Sequence, residues 1–258
     1  MFTIKEHKMV DSIEEGYELL IKNRNNLILG GTAFLKLGNK NVNVGIDLSK
    51  LNLDFINETD EGIEIGPMTT LRSIETNELL KNNFNGIVAQ AVEEIVGIQL
   101  RSVATVGGTV ASKYGFSDLL TALLSLDTYV ELYKGGVISL EEYMKEEKVP
   151  KDIVIKIIIK KDGRKSAFNT MRNSKSDYAL LNCSVSKLEN GDYRVVVGAR
   201  PGRSVVNTID ASTSLSNQLE KIVDSMSFGS NMRASGEYRK MIAKVLIRRN
   251  LQAVNSLN

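Results

Sequence analysis

The sequence predicts an α+β protein with two α/β subdomains that enclose a ligand, followed by an α+β domain. Short apolar strands alternate with helical segments over the first 165 residues, which is typical of α/β units. From Ser166 onward, three alternating segments predict an antiparallel sheet, and Asn190-Gly191 predicts a hairpin turn within it. The 258 residues are enough for this organisation. We therefore expect a domain at 1–165, with subdomains of about 1–80 and 81–165, and a C-terminal domain at 166–258.

The first 165 residues supply the elements of the two subdomains. Ser12 is typical of a helix N-cap, and Glu14 and Glu15 in the next turn favour the positive end of the helix dipole. The predicted strands are Leu27–Leu29, Val42–Ile46, Ile63–Ile65, Thr128–Tyr133 and Ile153–Lys160. The predicted helices are Ser12–Leu20, Thr70–Glu75, Phe84–Ile95, Leu119–Leu126 and Leu140–Lys145.

The C-terminal domain changes character, because strands come first and helices follow. The three predicted strands are Ala167–Met171, Ala179–Lys187 and Tyr193–Ala199. Two helices are predicted after them, at Asn217–Met226 and Gly236–Val254. No linker rich in proline or serine separates this part from the preceding subdomains.

Two glycine pairs are the most informative local features. Gly30-Gly31 follows the apolar strand Leu27–Leu29, and Gly107-Gly108 follows Val103–Val106. A strand that ends in Gly-Gly-Thr can turn sharply and present backbone N–H groups to phosphate oxygens at close range. Two such turns could hold a pyrophosphate from both sides, with Asp118 placed for a ribose hydroxyl. Taken alone, either pair is more often a simple tight turn.

Composition excludes several classes of site. The chain has one cysteine, Cys183, and one histidine, His7. It therefore has no internal disulfide framework and cannot hold an iron–sulfur cluster by itself, and we assign it no metal site and no catalytic triad. A Gly-x-Gly-x-x-Gly fingerprint and a Walker loop are both missing from the sequence. With no signal pattern and no apolar run near the ~20 residues that span a bilayer, we expect a cytoplasmic protein without membrane insertion.

Charge is distributed unevenly. Residues 1–150 carry a net charge of −8 and residues 151–258 carry +10. The basic part, from Lys151 on, is a candidate docking surface for an acidic partner, and Arg239, Lys240, Arg248 and Arg249 are candidate members of it. Nucleic acid is an alternative partner of such a surface, but aromatic residues are only 6% and tryptophan is missing. We therefore predict no nucleic-acid binding.

Further motifs occur in a recognisable order around the glycine pairs. They are Ile65-Gly66-Pro67-Met68-Thr69-Thr70-Leu71, Gln99-Leu100-Arg101-Ser102 and Ser117-Asp118. Together with the two Gly-Gly-Thr segments, they make the chain resemble the FAD-binding medium subunit of the molybdenum hydroxylases, the family of xanthine dehydrogenase and carbon monoxide dehydrogenase. The resemblance extends along essentially the whole chain. Two departures are Thr109, where the family often has asparagine, and Asn169, where some members have lysine.

The resemblance implies a non-covalent FAD sandwiched by the two subdomains. The pyrophosphate would be wrapped by Leu27, Ile28, Leu29, Gly30, Gly31, Thr32, Ala33 and Phe34, and by Thr105, Val106, Gly107, Gly108 and Thr109. Asp118 would bind the adenosine ribose, and Ile95 and Val154 would lie near the adenine. Asn169 and Tyr178 would approach the flavin ring, and a neutral Asn169 would stabilise a reduced, anionic flavin less than a lysine.

The implied function is electron transfer, with no catalytic residue assigned to this chain. Electrons would come from an iron–sulfur subunit that serves a molybdenum-cofactor subunit in a heterotrimer. Molybdopterin and [2Fe-2S] clusters are expected on those partners only, and the expected acceptor is NAD or another electron acceptor. Two alternatives remain open: a stand-alone flavin reductase of the same FAD-fold superfamily, and a non-enzymatic basic binding module.

Overall fold

The computed structural model describes residues 1–146 and 150–257. In chain order the strands are β1 (Thr3–Met9), β2 (Leu27–Leu29), β3 (Asn41–Asp47), β4 (Ile56–Thr59), β5 (Gly62–Ile65), β6 (Thr128–Leu132), β7 (Gly136–Ser139), β8 (Val154–Lys160), β9 (Ser166–Arg172), β10 (Ala179–Lys187), β11 (Tyr193–Gly198) and β12 (Val205–Ile209). The helices are α1 (Ile13–Lys22), α2 (Leu71–Thr76), α3 (Glu78–Asn82), α4 (Ile87–Glu93), α5 (Ile98–Arg101), α6 (Val106–Ser112), α7 (Asp118–Ser125), α8 (Leu140–Lys145), α9 (Leu215–Ser225) and α10 (Gly236–Ser256). The mixed α+β class is confirmed.

The described chain forms two compact units that interleave along the sequence. The first unit comprises Met1–Ser73, Ile98–Ser112 and Thr128–Lys160, and the second comprises Ile74–Gly97, Lys113–Asp127 and Lys161–Asn258. The predicted domains, with boundaries at about 80 and 165, are continuous segments of the chain, whereas each of these units combines several segments. The domain boundaries therefore stay a prediction.

The first unit contains two sheets. One is parallel, with the order β1-β3-β2, and the other is antiparallel, with the order β4-β5-β8-β6-β7. Helix α1 begins as predicted, because the Ser12 side chain accepts a hydrogen bond from the Glu15 amide. Its apolar face packs on the parallel sheet through Leu20, Val44 and Ile46. This packing fixes β2, and therefore the first glycine pair at its end.

The second unit is built around one sheet with the order β12-β11-β10-β9. The prediction of three antiparallel strands is wrong by one, because β12 pairs with β11 from Val197↔Val205 to Tyr193↔Ile209. This edge strand buries only Ile209 fully, so its alternation in the sequence is weak. Helices α9 and α10 pack on one face of the sheet, and the fully buried helix α7 contacts β10 and β11.

Within the described residues, no helix is both long enough and apolar enough to cross a membrane.

Candidate functional site

The first glycine pair forms a left-handed turn at the end of β2. Gly31 and Thr32 both have positive φ angles, of 71° and 54°. Glycine adopts this region freely, whereas a β-branched threonine is strained there, and such strain concentrates at ligand-binding positions. The amides of Gly31, Thr32 and Ala33 have no hydrogen-bond partner within the described chain. This turn therefore presents three consecutive donors that an anion can use.

The two glycine pairs pack against each other inside the first unit. A Cβ atom at Gly30 would lie 2.7 Å from Thr105 Oγ1 and 3.3 Å from Gly108 Cα. A Cβ atom at Gly31 would overlap the carbonyl oxygen of Val103. The glycines are therefore required for the backbone of one turn to approach the backbone of the other. The sequence predicted that the two turns hold a pyrophosphate from both sides, and this stays a prediction.

The second glycine pair was predicted to lie at the end of a strand. In the structure, Gly107 and Gly108 lie in the first turn of α6. Its amides are already engaged. Val106 N donates to Thr69 O at 2.9 Å, Gly107 N to Pro67 O at 2.8 Å, and Gly108 N to Thr105 Oγ1 at 3.2 Å. The unpartnered donors therefore belong to the first turn, and the segment Thr105–Thr109 packs beside it. Its predicted contact with a pyrophosphate stays a prediction.

The motif at residues 65–71 holds the second glycine pair in place. Besides accepting the bonds from Val106 and Gly107, this segment donates from Leu71 N to Ala104 O at 2.9 Å. The buried Thr69 hydroxyl donates to Phe55 O at 2.9 Å and accepts from Phe55 N at 3.1 Å. The motif therefore supports the turn structurally.

Asp118 is the first residue of α7 and lies in the second unit, only 4% exposed. Arg172 Nη2 donates to its Oδ2 at 2.5 Å, and Asn182 Nδ2 donates to its Oδ1 at 2.7 Å. Burial raises the pKa of the Asp118 carboxyl, and the Arg172 guanidinium opposes that shift. Both oxygens are thus used inside the unit, and the ribose contact stays a prediction.

Sequence reasoning assigned no role to Arg172 and Asn182. Arg172 also donates from Nη1 to Asp177 O at 2.7 Å, and its Nε lies 3.4 Å from Glu94. Arg172 lies on β9 and Asn182 on β10, and a charged or amide side chain on a buried strand needs a hydrogen-bond partner. That requirement is the sequence signal that could have identified these two residues.

The residues predicted to approach the flavin ring lie on and beside the sheet of the second unit. Asn169 on β9 donates from Nδ2 to Asn250 Oδ1 at 2.5 Å, and the fully buried Asn250 donates to Cys183 O at 2.9 Å. Tyr178 is half-buried, with its ring centroid 4.9 Å from that of Phe116 and 4.8 Å from the Arg233 Cζ. The structure shows their surroundings, and their contact with a flavin stays a prediction.

The residues predicted to lie near the adenine belong to different units. Ile95 follows α4 in the second unit and is half-buried, and Val154 begins β8 in the first unit and is buried. Their adenine contacts also stay a prediction.

The candidate basic surface needs one correction. Arg239 is 1% exposed, so it does not belong to an exposed docking surface. Lys240 forms an ion pair with Asp224 at 2.9 Å, and Lys151 donates to Asn23 O at 2.9 Å and to Asn26 O at 2.8 Å. Arg248 and Arg249 are exposed on α10.

The residues present fit a pyrophosphate-bearing cofactor at the first turn. Three consecutive unpartnered amides, those of Gly31, Thr32 and Ala33, provide donors for the phosphate oxygens. Across the described part of the chain, no cluster of three or more His, Cys, Asp or Glu side chains could hold a metal ion.

Known proteins share both the sequence pattern and the fold. Residues 6–160 match the family described as the FAD binding domain in molybdopterin dehydrogenase. The chain is 23% identical over 243 residues to the uncharacterized protein YgfM of Escherichia coli K12, covering 92% of this chain and 91% of that protein. It is 24% identical over 268 residues to the glyceraldehyde dehydrogenase medium chain of Sulfolobus acidocaldarius, covering 92% and 93%.

A solved structure of carbon monoxide dehydrogenase from Hydrogenophaga pseudoflava superposes with a TM-score of 0.87 at 16% identity, covering 98% of each chain. At this level of identity, the likeness shows the fold. Because the family match extends over more than half of the sequence, this chain belongs to the family of FAD-binding domains of molybdopterin dehydrogenases.

Proposed function

We propose that this chain is the FAD-carrying electron-transfer subunit of a molybdenum hydroxylase complex. It would receive electrons from an iron–sulfur subunit and pass them to NAD or another acceptor. The observation that carries the proposal is the first glycine turn, where Gly31, Thr32 and Ala33 present unpartnered amides. Membership of the FAD-binding family supports FAD as the ligand of that turn.

Each predicted contact has a specific task in this proposal. Amides of the segment Leu27–Phe34 would bind the pyrophosphate oxygens, and Thr105–Thr109 would form the close-packed wall beside them. Asp118 would orient the ribose, and Ile95 and Val154 would shield the adenine from water. Tyr178 and Asn169 would flank the flavin. FAD, when bound, accepts electrons singly and releases them in pairs, which suits a link between iron–sulfur clusters and NAD.

The assignment of the other cofactors to partner subunits rests on the few cysteine and histidine residues in this chain. One cysteine and one histidine cannot hold [2Fe-2S] clusters, so the clusters and the molybdenum cofactor would belong to partner subunits in a heterotrimer. A relative that is named a medium chain supports a complex of several chains. We infer xanthine dehydrogenase-like hydroxylation of a purine, another N-heterocycle or an aldehyde on the molybdenum subunit, in the cytoplasm.

The test begins with the purified full chain. We expect one FAD per chain, released on denaturation, because no His or Cys lies in the glycine turns to form a covalent link. We also expect reduction of an artificial dye by NADH, and no hydroxylation of a purine or aldehyde by the chain alone. A colourless chain that cannot be reconstituted with FAD would contradict cofactor binding.

Co-expression with neighbouring genes tests the second half of the proposal. Co-purification with an iron–sulfur and a molybdenum subunit is the expected result. A flavin-loaded chain that never associates with such partners would favour the stand-alone flavin reductase. Hydroxylation by the isolated chain would refute the electron-transfer role.

A further inference from the structure

A polar cleft of about 530 Å³ lies within the first compact unit, where helix α1 meets strands β1 and β3. Its volume is in the range of pockets that bind small molecules. The lining includes Glu6, Leu19, Lys22, Asn23, Asn43 and Val44.

The cleft is separate from the first glycine turn. Asn43 lies near the start of β3, and Lys22 is the last residue of α1. Leu29, which precedes the glycine turn, pairs instead with Asp47 at the end of β3. The cleft and the turn therefore lie toward opposite ends of the parallel sheet.

Two charged side chains of the cleft have no partner. Lys8 Nζ lies 3.3 Å from Glu15 Oε1, so these two lining residues neutralise each other. Glu6 on β1 and Lys22 on α1 are exposed, and neither side chain forms a hydrogen bond or an ion pair within the described chain. The cleft thus offers one free carboxylate and one free ammonium group.

Backbone groups fix the orientation of the amide side chains in the cleft. Val44 N donates to Asn26 Oδ1 at 3.1 Å, and Asn43 Nδ2 donates to the same oxygen at 3.0 Å. Asn23 Oδ1 accepts from Asn25 N at 2.8 Å. Among the described residues, Asn43 Oδ1 is therefore left as an unused acceptor and Asn23 Nδ2 as an unused donor.

The unused groups divide by polarity between the two walls of the cleft. The acceptors, Glu6 and Asn43, belong to the neighbouring strands β1 and β3. The donors, Lys22 and Asn23, are consecutive residues at the end of α1. A ligand that carries an ammonium group and a carboxylate group would form a charge-assisted hydrogen bond with each wall.

The donor wall is held rigidly. Lys151 Nζ donates to Asn23 O at 2.9 Å and to Asn26 O at 2.8 Å. Asn26 N also donates to Asn23 O at 3.0 Å, and Asn26 Nδ2 donates to Leu19 O at 2.6 Å. A wall that is ordered before the ligand arrives loses little conformational entropy on binding.

We propose that this cleft binds a free α-amino acid with an aliphatic side chain. The ammonium group of the ligand would bind to Glu6, and its carboxylate would bind to Lys22. Half-buried Leu19 and buried Val44 supply apolar surface for the aliphatic side chain. The site does not depend on the proposed function, because none of its residues belongs to the cofactor turn.

The first test titrates three probes into the purified full chain by calorimetry. L-leucine carries both charges, leucinamide lacks the carboxylate, and isocaproate lacks the ammonium group. Wild type should bind leucine, and each analogue should bind about tenfold more weakly, because one charge-assisted contact is lost. Absence of leucine binding, or equal affinity for all three probes, would overturn the proposal.

Two variants then assign each charge to its wall. Glu6→Gln should raise the Kd of leucine and leucinamide about tenfold without weakening isocaproate. Lys22→Gln should raise the Kd of leucine and isocaproate by a similar factor without weakening leucinamide. Glu18→Gln and Lys36→Gln remove the same charges from exposed positions in the first unit and should change no Kd.

The pattern across the probes decides the outcome. An unchanged Kd for leucine in both Glu6→Gln and Lys22→Gln would overturn the site. Equal weakening of all three probes by either variant would also overturn it, because each charge should affect only the ligand group that it meets. Thermal unfolding checks that the variants are folded, and Lys22→Gln decides the matter if Glu6→Gln does not fold.

Discussion

Arg172 Nη2 donates to Asp118 Oδ2 at 2.5 Å, and both side chains are buried in the second compact unit. This ion pair connects the first residue of α7 to the last residue of β9, and Asn182 on β10 binds the other carboxylate oxygen. The residue predicted to bind ribose therefore also joins a helix to a sheet. Changes at Asp118 must be measured for folding as well as for cofactor binding.

Asp118→Ala should destabilise the protein strongly, because it leaves the Arg172 guanidinium buried without its closest counter-charge. Breaking a buried pair typically costs about 3–5 kcal/mol of unfolding free energy. Asp118→Asn should cost less, since an amide can still accept a hydrogen bond. Urea unfolding measures both, with Asp224→Ala as the control, because its pair with Lys240 is exposed and contributes little.

Where Asp118→Ala remains folded, its FAD affinity tests the ribose contact. Losing a charge-assisted hydrogen bond of about 1.5–3 kcal/mol would weaken FAD by about tenfold to a hundredfold. Unchanged affinity in a folded variant would show that Asp118 has a structural role only. Equal stability of Asp118→Ala and Asp224→Ala would contradict the importance of the buried pair.

Gly31→Ala should prevent the first turn from forming correctly. The added Cβ would overlap Val103 O, and alanine is disfavoured at a φ of 71°. We expect a loss of more than about 2 kcal/mol of unfolding free energy, together with loss of bound FAD. Gly38→Ala is the matched control, because its φ is −98° and its nearest neighbouring atom is 3.6 Å from the added Cβ. A stable, yellow Gly31→Ala protein would refute the close approach of the two turns.

Thr105→Val should separate the hydroxyl group from the shape of this side chain. Thr105 is buried, and its Oγ1 accepts a hydrogen bond from Gly108 N at 3.2 Å. Valine keeps the volume but leaves this amide without its acceptor, which costs about 1–3 kcal/mol. Thermal unfolding and FAD titration should show weakened stability and binding in Thr105→Val and near-normal values in Thr105→Ser. Equal behaviour of the two variants would mean that the hydroxyl is not used.

The sequence was a good guide wherever local chemistry decides the structure. Ser12 predicted the start of α1, and Leu27–Leu29 predicted β2 with the bounds that the structure has. The direct packing of the two glycine pairs was not predicted, since the sequence analysis used their missing Cβ atoms to explain the close approach of a ligand. In the structure, these glycines let two backbones approach each other.

Long-range partners account for what the sequence did not show. Gly107-Gly108 was expected at a strand end, but the carbonyls of Pro67 and Thr69, some forty residues earlier, accept bonds from the helix that begins there. The strand β12 was missed because an edge strand buries few side chains. Arg239 was expected on a docking surface, but the tertiary fold turns this residue of helix α10 inward, where it donates to Leu180 O and Gly229 O.

The Cys183 thiol should be unreactive in the folded protein. Complete burial raises its pKa to about 12, so that at pH 8 the thiolate, which is the reactive form, is on the order of one molecule in ten thousand. Native protein treated with iodoacetamide at pH 8 should therefore remain unlabelled by mass spectrometry, whereas urea-unfolded protein should take up one label. The raised pKa of Cys183 also makes the free energy of unfolding depend on pH. The neutral thiol contributes fully to folded-state stability below about pH 9, and this contribution is lost as the pH rises toward 12. Cys183→Ala should consequently lose less stability than wild type between these two pH values. Rapid labelling of the native chain would show that β10 opens readily at Cys183 and would contradict the burial on which this prediction rests.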